Sequence, residues 1–281
     1  MIRSIRTHTA RILRTLPAQI TFLLLFGLVL YNFIRNVIVN AGIQYVSQMT
    51  DPLKLLTLSH ISEHEGSQAG HILMLLYPIL VVFPVSATWL TDKSTGNVNF
   101  IESRSGRRNF WFGKFIAVFL STFIIFAGPF FLELLLNTIC FDLSSDGQFG
   151  SSFIQGLQYE LKYAFPKLWG KSRYLYVVVM QLLLGAASGV LACFSFACST
   201  FPFMRYRILN FIPVYVFLYS GTLIQSAFQT KTVLNYTVIF RMFFFTYTQE
   251  MNNLLYFACM AALLLVSVVI ILIKSRKDQL S

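Results

Sequence analysis

Apolar runs long enough to cross a lipid bilayer dominate this chain and constrain what it can fold into. A helix rises about 1.5 Å per residue, so about 20 apolar residues cross the roughly 30 Å hydrocarbon core. Six runs come near this length, at residues 18–34, 72–90, 115–139, 175–201, 208–227 and 254–273. Because lipid offers a backbone no hydrogen bonds, each run is expected to be helical. The sequence predicts an all-α protein with six transmembrane helices, forming one domain over residues 1–281.

Charged residues are scarce and concentrated at the ends of these runs. They make up 12% of the chain, against about a quarter in soluble proteins, while 56% of residues are hydrophobic. The net charge of +11 therefore indicates contact with membrane lipid rather than with nucleic acid. The four cysteines show no CxxC spacing, so neither a disulfide framework nor a metal site is expected.

The first 16 residues have two faces when projected as a helix. Apolar residues fall on one side and arginines on the other: Ile2, Ile5, Ile12, Leu13 and Leu16 against Arg3, Arg6, Arg11 and Arg14. This pattern predicts an amphipathic helix in the membrane plane, with Pro17 turning the chain into the first span. The alternative is the basic n-region of a signal peptide, which needs no such two-faced pattern.

The distribution of basic residues predicts which side of the membrane each loop occupies. With the N-terminus inside, most of the 22 Lys and Arg residues face the cytoplasm. Both termini and the loop at residues 91–114, here called the docking loop, are then cytoplasmic, as is a short turn with Arg205 and Arg207. Residues 233–245 are apolar but too few to cross, which predicts a re-entrant segment before the last span. We expect a cell membrane, of the bacterial cytoplasmic type.

No motif indicates catalysis by this chain. His60 to His64 match HxxEH, yet a short outer loop offers no third ligand, so weak incidental metal binding is the most that we expect. Gly170-Lys171-Ser172 ends like a P-loop but lacks the leading glycine, because Phe165 stands there. The chain is therefore expected to be no enzyme and to bind no cofactor or metal.

Polar residues within the spans are candidates for a translocation path. Glu133 is the acidic residue deep in a predicted span, and Asn137 lies one turn further on the same face. An ionisable group in hydrocarbon by default faces a cavity or a partner, so transport and structural pairing both remain open. Tyr215, Tyr219 and Gln225 are similarly candidates to line a path, with ordinary helix packing as the alternative. Gly185 and Gly189, at GxxxG spacing, predict close helix contact.

The docking loop has an ordered series of features. They are an acidic-basic pair, a glycine, an apolar patch, an Arg-rich turn, an aromatic residue and a Gly-Lys pair: Asp92-Lys93, Gly96, Val98 with Phe100 and Ile101, Ser103 to Arg108, Phe110 and Gly113-Lys114. In this order they resemble the first cytoplasmic loop of ABC-2 type transporter permeases. The N-terminal helix, the short turn before the fifth run and the basic C-terminus extend that resemblance over the whole chain.

The resemblance implies an exporter, and the apolar, aromatic spans favour a hydrophobic or amphipathic cargo, such as a peptide, an antibiotic or a lipid-like molecule. It implies a separate ATPase subunit, which holds ATP and Mg²⁺, and a second permease, either a copy or a sister chain. The expected contacts with the ATPase are Asp92, Lys93, Gly96, Val98, Phe100, Ile101, Glu102, Arg104, Arg107 and Arg108. A solvated positive loop with no partner is the alternative. Rival functions are an ion-coupled transporter or channel, or a membrane sensor or assembly protein.

Overall fold

A computed structural model describes residues 2–40, 56–58, 68–86, 88–96, 98, 102, 106–140, 165–204, 206–228 and 253–276. This part of the chain is helical and contains no strand, which confirms the all-α prediction. Its α-helices are α1 (Ile2–Leu13), α2 (Leu16–Asn40), α3 (Gln68–Val82), α4 (Thr88–Ser94), α5 (Arg107–Cys140), α6 (Pro166–Lys171), α7 (Arg173–Ser199), α8 (Ile212–Phe228) and α9 (Asn253–Arg276). A 3-10 turn (Arg207–Phe211) precedes α8.

Four of the described helices, α2, α5, α7 and α9, are long and apolar enough to cross a membrane. The chain is thus a multi-pass membrane protein by the length and composition of its helices. The runs at residues 72–90 and 208–227 contain shorter apolar helices instead. Helix α3 has 15 residues, which corresponds to about 22 Å and is less than the hydrocarbon core.

Helices α5 and α7 form the centre of the bundle, and α2 and α9 are its more exposed members. The two glycines predicted to allow close contact lie where α7 meets α5. A Cβ on Gly189 would come within 2.7 Å of the Phe119 ring, and one on Gly185 within 3.1 Å of the Phe123 ring. The absence of side chains there therefore lets α5 and α7 approach closely, as the GxxxG spacing predicts.

The N-terminal residues form a helix that packs on the beginning of α5. Ile12 and His8 are buried, and the Oγ of Ser4 lies against Gly113 at the position that a Cβ would occupy. Helix α1 ends at Leu13, and Pro17 is the second residue of α2, where the missing N–H breaks no helical hydrogen bond. A two-faced helix is thus present at the predicted position.

The docking loop is partly helical, because α4 continues to Ser94 and α5 already begins at Arg107. Gly96 ends α4 with a φ of +67°, and Gly106 precedes α5 with a φ of +76°, in the left-handed region that favours glycine. The helix that begins at Thr88 therefore does not continue through Gly96. The predicted re-entrant segment at residues 233–245 and the HxxEH residues lie outside the described part of the chain.

Candidate functional site

A buried ion pair joins the docking loop to the helices beside it. One Asp92 carboxylate oxygen, Oδ2, accepts a hydrogen bond from Nζ of Lys114 at 2.6 Å. The other, Oδ1, lies 2.8 Å from Nη1 of Arg11. The Asp92 and Lys114 side chains are only 6% and 2% exposed, whereas Arg11 is 43% exposed. One carboxylate thus connects α4 with α5 and with the N-terminal helix α1.

The ammonium group of Lys114 is enclosed by aromatic rings. Its Nζ lies 5.5, 5.8 and 5.6 Å from the ring centroids of Trp89, Phe110 and Phe196, and it also donates to the backbone oxygen of Thr88 at 3.1 Å. Ring faces attract cations, and this attraction strengthens when water is excluded. The sequence predicted only that Lys114 opens a span; the surrounding aromatic residues were the signal that it would be buried.

His8 lies beside this ion pair and faces the edge of the Phe110 ring at a centroid distance of 5.6 Å. Burial lowers the pKa of His8 to about 4, and the nearby positive charge of Lys114 acts in the same direction. The negative charge of Asp92 opposes this shift without reversing it. His8 is therefore neutral at pH 7.

The other predicted docking residues have different surroundings. Lys93 and Arg108 are exposed, and Arg107 pairs with Glu102 at 3.4 Å. Val98 is only 4% exposed and belongs to the hydrophobic core of the described residues, and its contact with an ATPase stays a prediction. Phe100, Ile101 and Arg104 lie outside the described residues, as does Arg205 of the second inner turn.

A second polar cluster surrounds Glu133 in α5. Its Oε1 accepts hydrogen bonds from Asn32 Nδ2 at 2.9 Å and from both the backbone N and the hydroxyl of Thr57 at 2.7 Å. Glu133 thus connects α5 to α2 and to the segment at residues 56–58. Within the described part of the chain, Glu133 Oε2 and both side-chain amide atoms of Asn137 are buried without a hydrogen-bond partner.

The remaining candidates for a translocation path lie on α8. Tyr215 and Tyr219 stack with ring centroids 5.5 Å apart and nearly parallel planes. Gln225 belongs to the same helix, and its side chain is not among those described. That these residues line a path together with Glu133 and Asn137 stays a prediction.

Groups of three or more His, Cys, Asp or Glu side chains that could hold a metal ion do not occur within the described ranges. The chain matches no protein-family model, no curated protein and no solved structure. Two charged groups therefore characterise the site. One is the buried pair of Asp92 and Lys114 at the docking loop, and the other is the Glu133 carboxylate of α5, which accepts three hydrogen bonds from residues outside α5.

Proposed function

We propose that this chain is the transmembrane permease subunit of an ABC-2 type exporter. It would cross a bacterial cytoplasmic membrane six times with both termini inside, beside a second permease that is either a copy of itself or a sister chain. A separate ATPase subunit would bind ATP and Mg²⁺ and drive the export of a hydrophobic or amphipathic compound. The order of features in the docking loop and the apolar character of the spans support this proposal.

The observation that carries the proposal is the position of Asp92. A transporter powered by a separate ATPase needs a cytoplasmic element whose displacement reaches the membrane helices. Asp92 lies on α4 at the start of the docking loop and is bound to Lys114 of α5 and Arg11 of α1. A force applied to α4 would reach the long central helix through buried contacts, which deform little compared with exposed loops. ATP binding does work only if it favours one permease state over another.

The test is whether an ATPase chain associates with this protein through the docking loop. The protein would be extracted in mild detergent from its own cells, and the chains that copurify would be identified by mass spectrometry. We expect an ATPase chain with a Walker A motif, and we expect Phe100→Asp with Ile101→Asp to abolish its association. Ile139→Asp is the control, because it places an aspartate at an exposed apolar position at the other end of α5.

Two results would contradict the proposal. If no ATPase chain copurifies with the wild-type protein, the permease assignment is wrong. If the double variant inserts into the membrane and retains the ATPase as well as Ile139→Asp does, association occurs elsewhere on the chain. Insertion is checked by the yield of monodisperse protein after extraction, so that loss of folding is not mistaken for loss of association.

An ion-coupled transporter is the second candidate, and the observation that favours it is the buried carboxylate of Glu133 with its unpartnered Oε2. Ion-coupled transporters use such carboxylates within the membrane. Glu133→Gln would abolish transport in an ion-coupled protein that remains folded. In an ATP-driven permease the same substitution should leave transport intact, since three of the carboxylate's hydrogen bonds go to Oε1, which glutamine retains.

A further inference from the structure

A cavity of about 200 Å³ lies where α1, α4 and α5 meet the 3-10 turn. Its polar lining includes Arg11, Asp92, Lys114 and Arg207, and its apolar lining includes Ile12. The cavity is somewhat larger than one of about 150 Å³ that accepts benzene, and smaller than the 300–1,000 Å³ pockets typical of drug-sized ligands. It therefore has room for one compact polar group with a few carbon atoms attached.

Positive charge exceeds negative charge in this cavity. Asp92 is the carboxylate of the lining, and its two oxygens are already occupied by Arg11 and Lys114. Arg207 is exposed and forms no salt bridge within the described part of the chain. His8 also lines the cavity but is neutral at pH 7, since its pKa is about 4. Two positive charges thus remain for a ligand, and their most favourable partner is an anion.

Two of the cationic side chains can still bind such an anion. Arg11 uses Nη1 for Asp92, which leaves the other N–H groups of its guanidinium, and Arg207 retains all five. Guanidinium groups match the geometry of phosphate oxygens and bind them through paired hydrogen bonds. Lys114 lies behind them as a fixed, buried charge that adds to the positive potential of the cavity.

We propose that this cavity binds a phosphate group, held by Arg11 and Arg207. The group belongs either to the headgroup of an anionic lipid or to phosphate from solution. The apolar part of the lining, which includes Ile12, Pro17 and Pro84, matches the glycerol carbons next to a lipid phosphate. The two-faced helix α1, whose Arg11 contributes to the cavity, is also typical of helices at the depth of lipid headgroups. The site does not depend on the proposed export function.

The test measures lipid binding to the purified full chain by native mass spectrometry. The probes are short-chain phosphatidylglycerol, which carries one negative charge, and phosphatidylcholine with identical acyl chains. We expect phosphatidylglycerol to bind at least about tenfold more tightly, because each basic residue near an anionic surface contributes roughly a factor of five. Arg207→Gln should weaken this binding about fivefold, and Arg207→Lys, which keeps the charge but not the paired hydrogen bonds, should restore only part of it.

The matched control is Arg6→Gln, which removes an exposed positive charge from the same helix α1 without altering the cavity lining. Its affinity for phosphatidylglycerol should remain within about twofold of the wild-type value, since screening by salt limits the effect of a distant exposed charge. Arg207 is exposed on a short turn, so Arg207→Gln should fold, and an unchanged gel-filtration profile verifies this.

Inorganic phosphate, titrated as a competitor, separates the two sources of the ligand. If phosphate displaces the lipid at a concentration similar to that of the lipid, and Arg207→Gln weakens the binding of both ligands, the site takes phosphate from solution. If phosphate displaces no lipid, the site takes the lipid headgroup. Either result supports a phosphate site. Equal weakening by Arg207→Gln and Arg6→Gln, or no weakening by Arg207→Gln, overturns the proposal.

Discussion

Removing the carboxylate of Asp92 should destabilise the protein more than removing the ammonium of Lys114. In Asp92→Asn the buried Lys114 loses its negatively charged partner and keeps only neutral ones, namely an amide oxygen, the Thr88 oxygen and the ring faces around it. Leaving one charge of a buried pair without its partner costs about 3–5 kcal/mol. In Lys114→Met, by contrast, Asp92 keeps Arg11, and the methionine side chain can occupy the aromatic surroundings, so we expect about 1–2 kcal/mol.

The double variant Asp92→Asn with Lys114→Met tests whether these costs arise from the pair itself. Without a buried ammonium there is no unpaired charge, so the double variant should lose about 1–2 kcal/mol, far less than the sum of the single losses. The difference is the coupling free energy between the two residues, which we expect to be at least about 2 kcal/mol. Residues in contact commonly show couplings up to about 3 kcal/mol.

The measurement is reversible unfolding in mixed micelles, with dodecyl sulfate added stepwise and tryptophan fluorescence as the signal. Trp89 and Trp111 pack 4.8 Å apart next to this ion pair and report its local structure. Lys93→Met is the control, because Lys93 is the exposed lysine beside Asp92, and its loss should change the stability by no more than about 0.5 kcal/mol. An Asp92→Asn protein as stable as this control, or additive losses in the double variant, would refute the reasoning.

Three further predictions concern α7, α1 and α5. Gly189→Ala should cost about 1–3 kcal/mol of unfolding free energy, since its Cβ would lie 2.7 Å from the Phe119 ring, whereas Gly27→Ala, with nothing within 4 Å, should be neutral. Stability should fall as the pH is lowered from 6.5 towards 4, because the pKa of His8 is lower in the folded protein than in the unfolded chain. In His8→Phe the melting temperature should depend less on pH between 6.5 and 4. An unchanged pH dependence would contradict the burial of a neutral His8. Glu133→Leu should destabilise the protein by about 3 kcal/mol or more in dodecyl sulfate titrations, because it leaves three buried donors without an acceptor. Glu133→Gln keeps an acceptor oxygen and should cost about 1 kcal/mol. Equal losses in the two variants would show that these hydrogen bonds contribute little to stability.

Features that depend on local sequence pattern were predictable. The helices α2, α5, α7 and α9 follow from apolar runs whose length matches the bilayer, and the close contact at Gly189 follows from glycine spacing. The two-faced pattern of the first 16 residues likewise identified α1, although the helix already ends at Leu13 and Leu16 belongs to α2. In each case a short stretch of residues contains the whole signal.

Features that depend on distant partners were not predictable in the same way. Asp92 and Lys114 are 22 positions apart, and no periodicity links them; Lys114 was expected only to begin a span. Glu133 is bound by Thr57, which is 76 positions away in a predicted outer loop. The two prolines of the run at residues 72–90 also differ in their effect, since Pro78 lies inside α3 while the helix ends at Val82, two residues before Pro84. A proline's effect depends on which neighbouring groups bind the freed carbonyls.

Helix α3 ends at Val82 and α4 begins at Thr88, so this part of the chain consists of two helices joined by a short connection. Asn210 holds this connection in place, because its side-chain Nδ2 donates to the backbone oxygen of Ser86 at 2.6 Å, while its backbone oxygen accepts from the Ser195 hydroxyl at 2.7 Å. Asn210 belongs to the 3-10 turn that leads into α8, and Ser195 belongs to α7. The connection between α3 and α4 is thus bound to α7 and to the 3-10 turn before α8, so that a displacement of α4 would reach both.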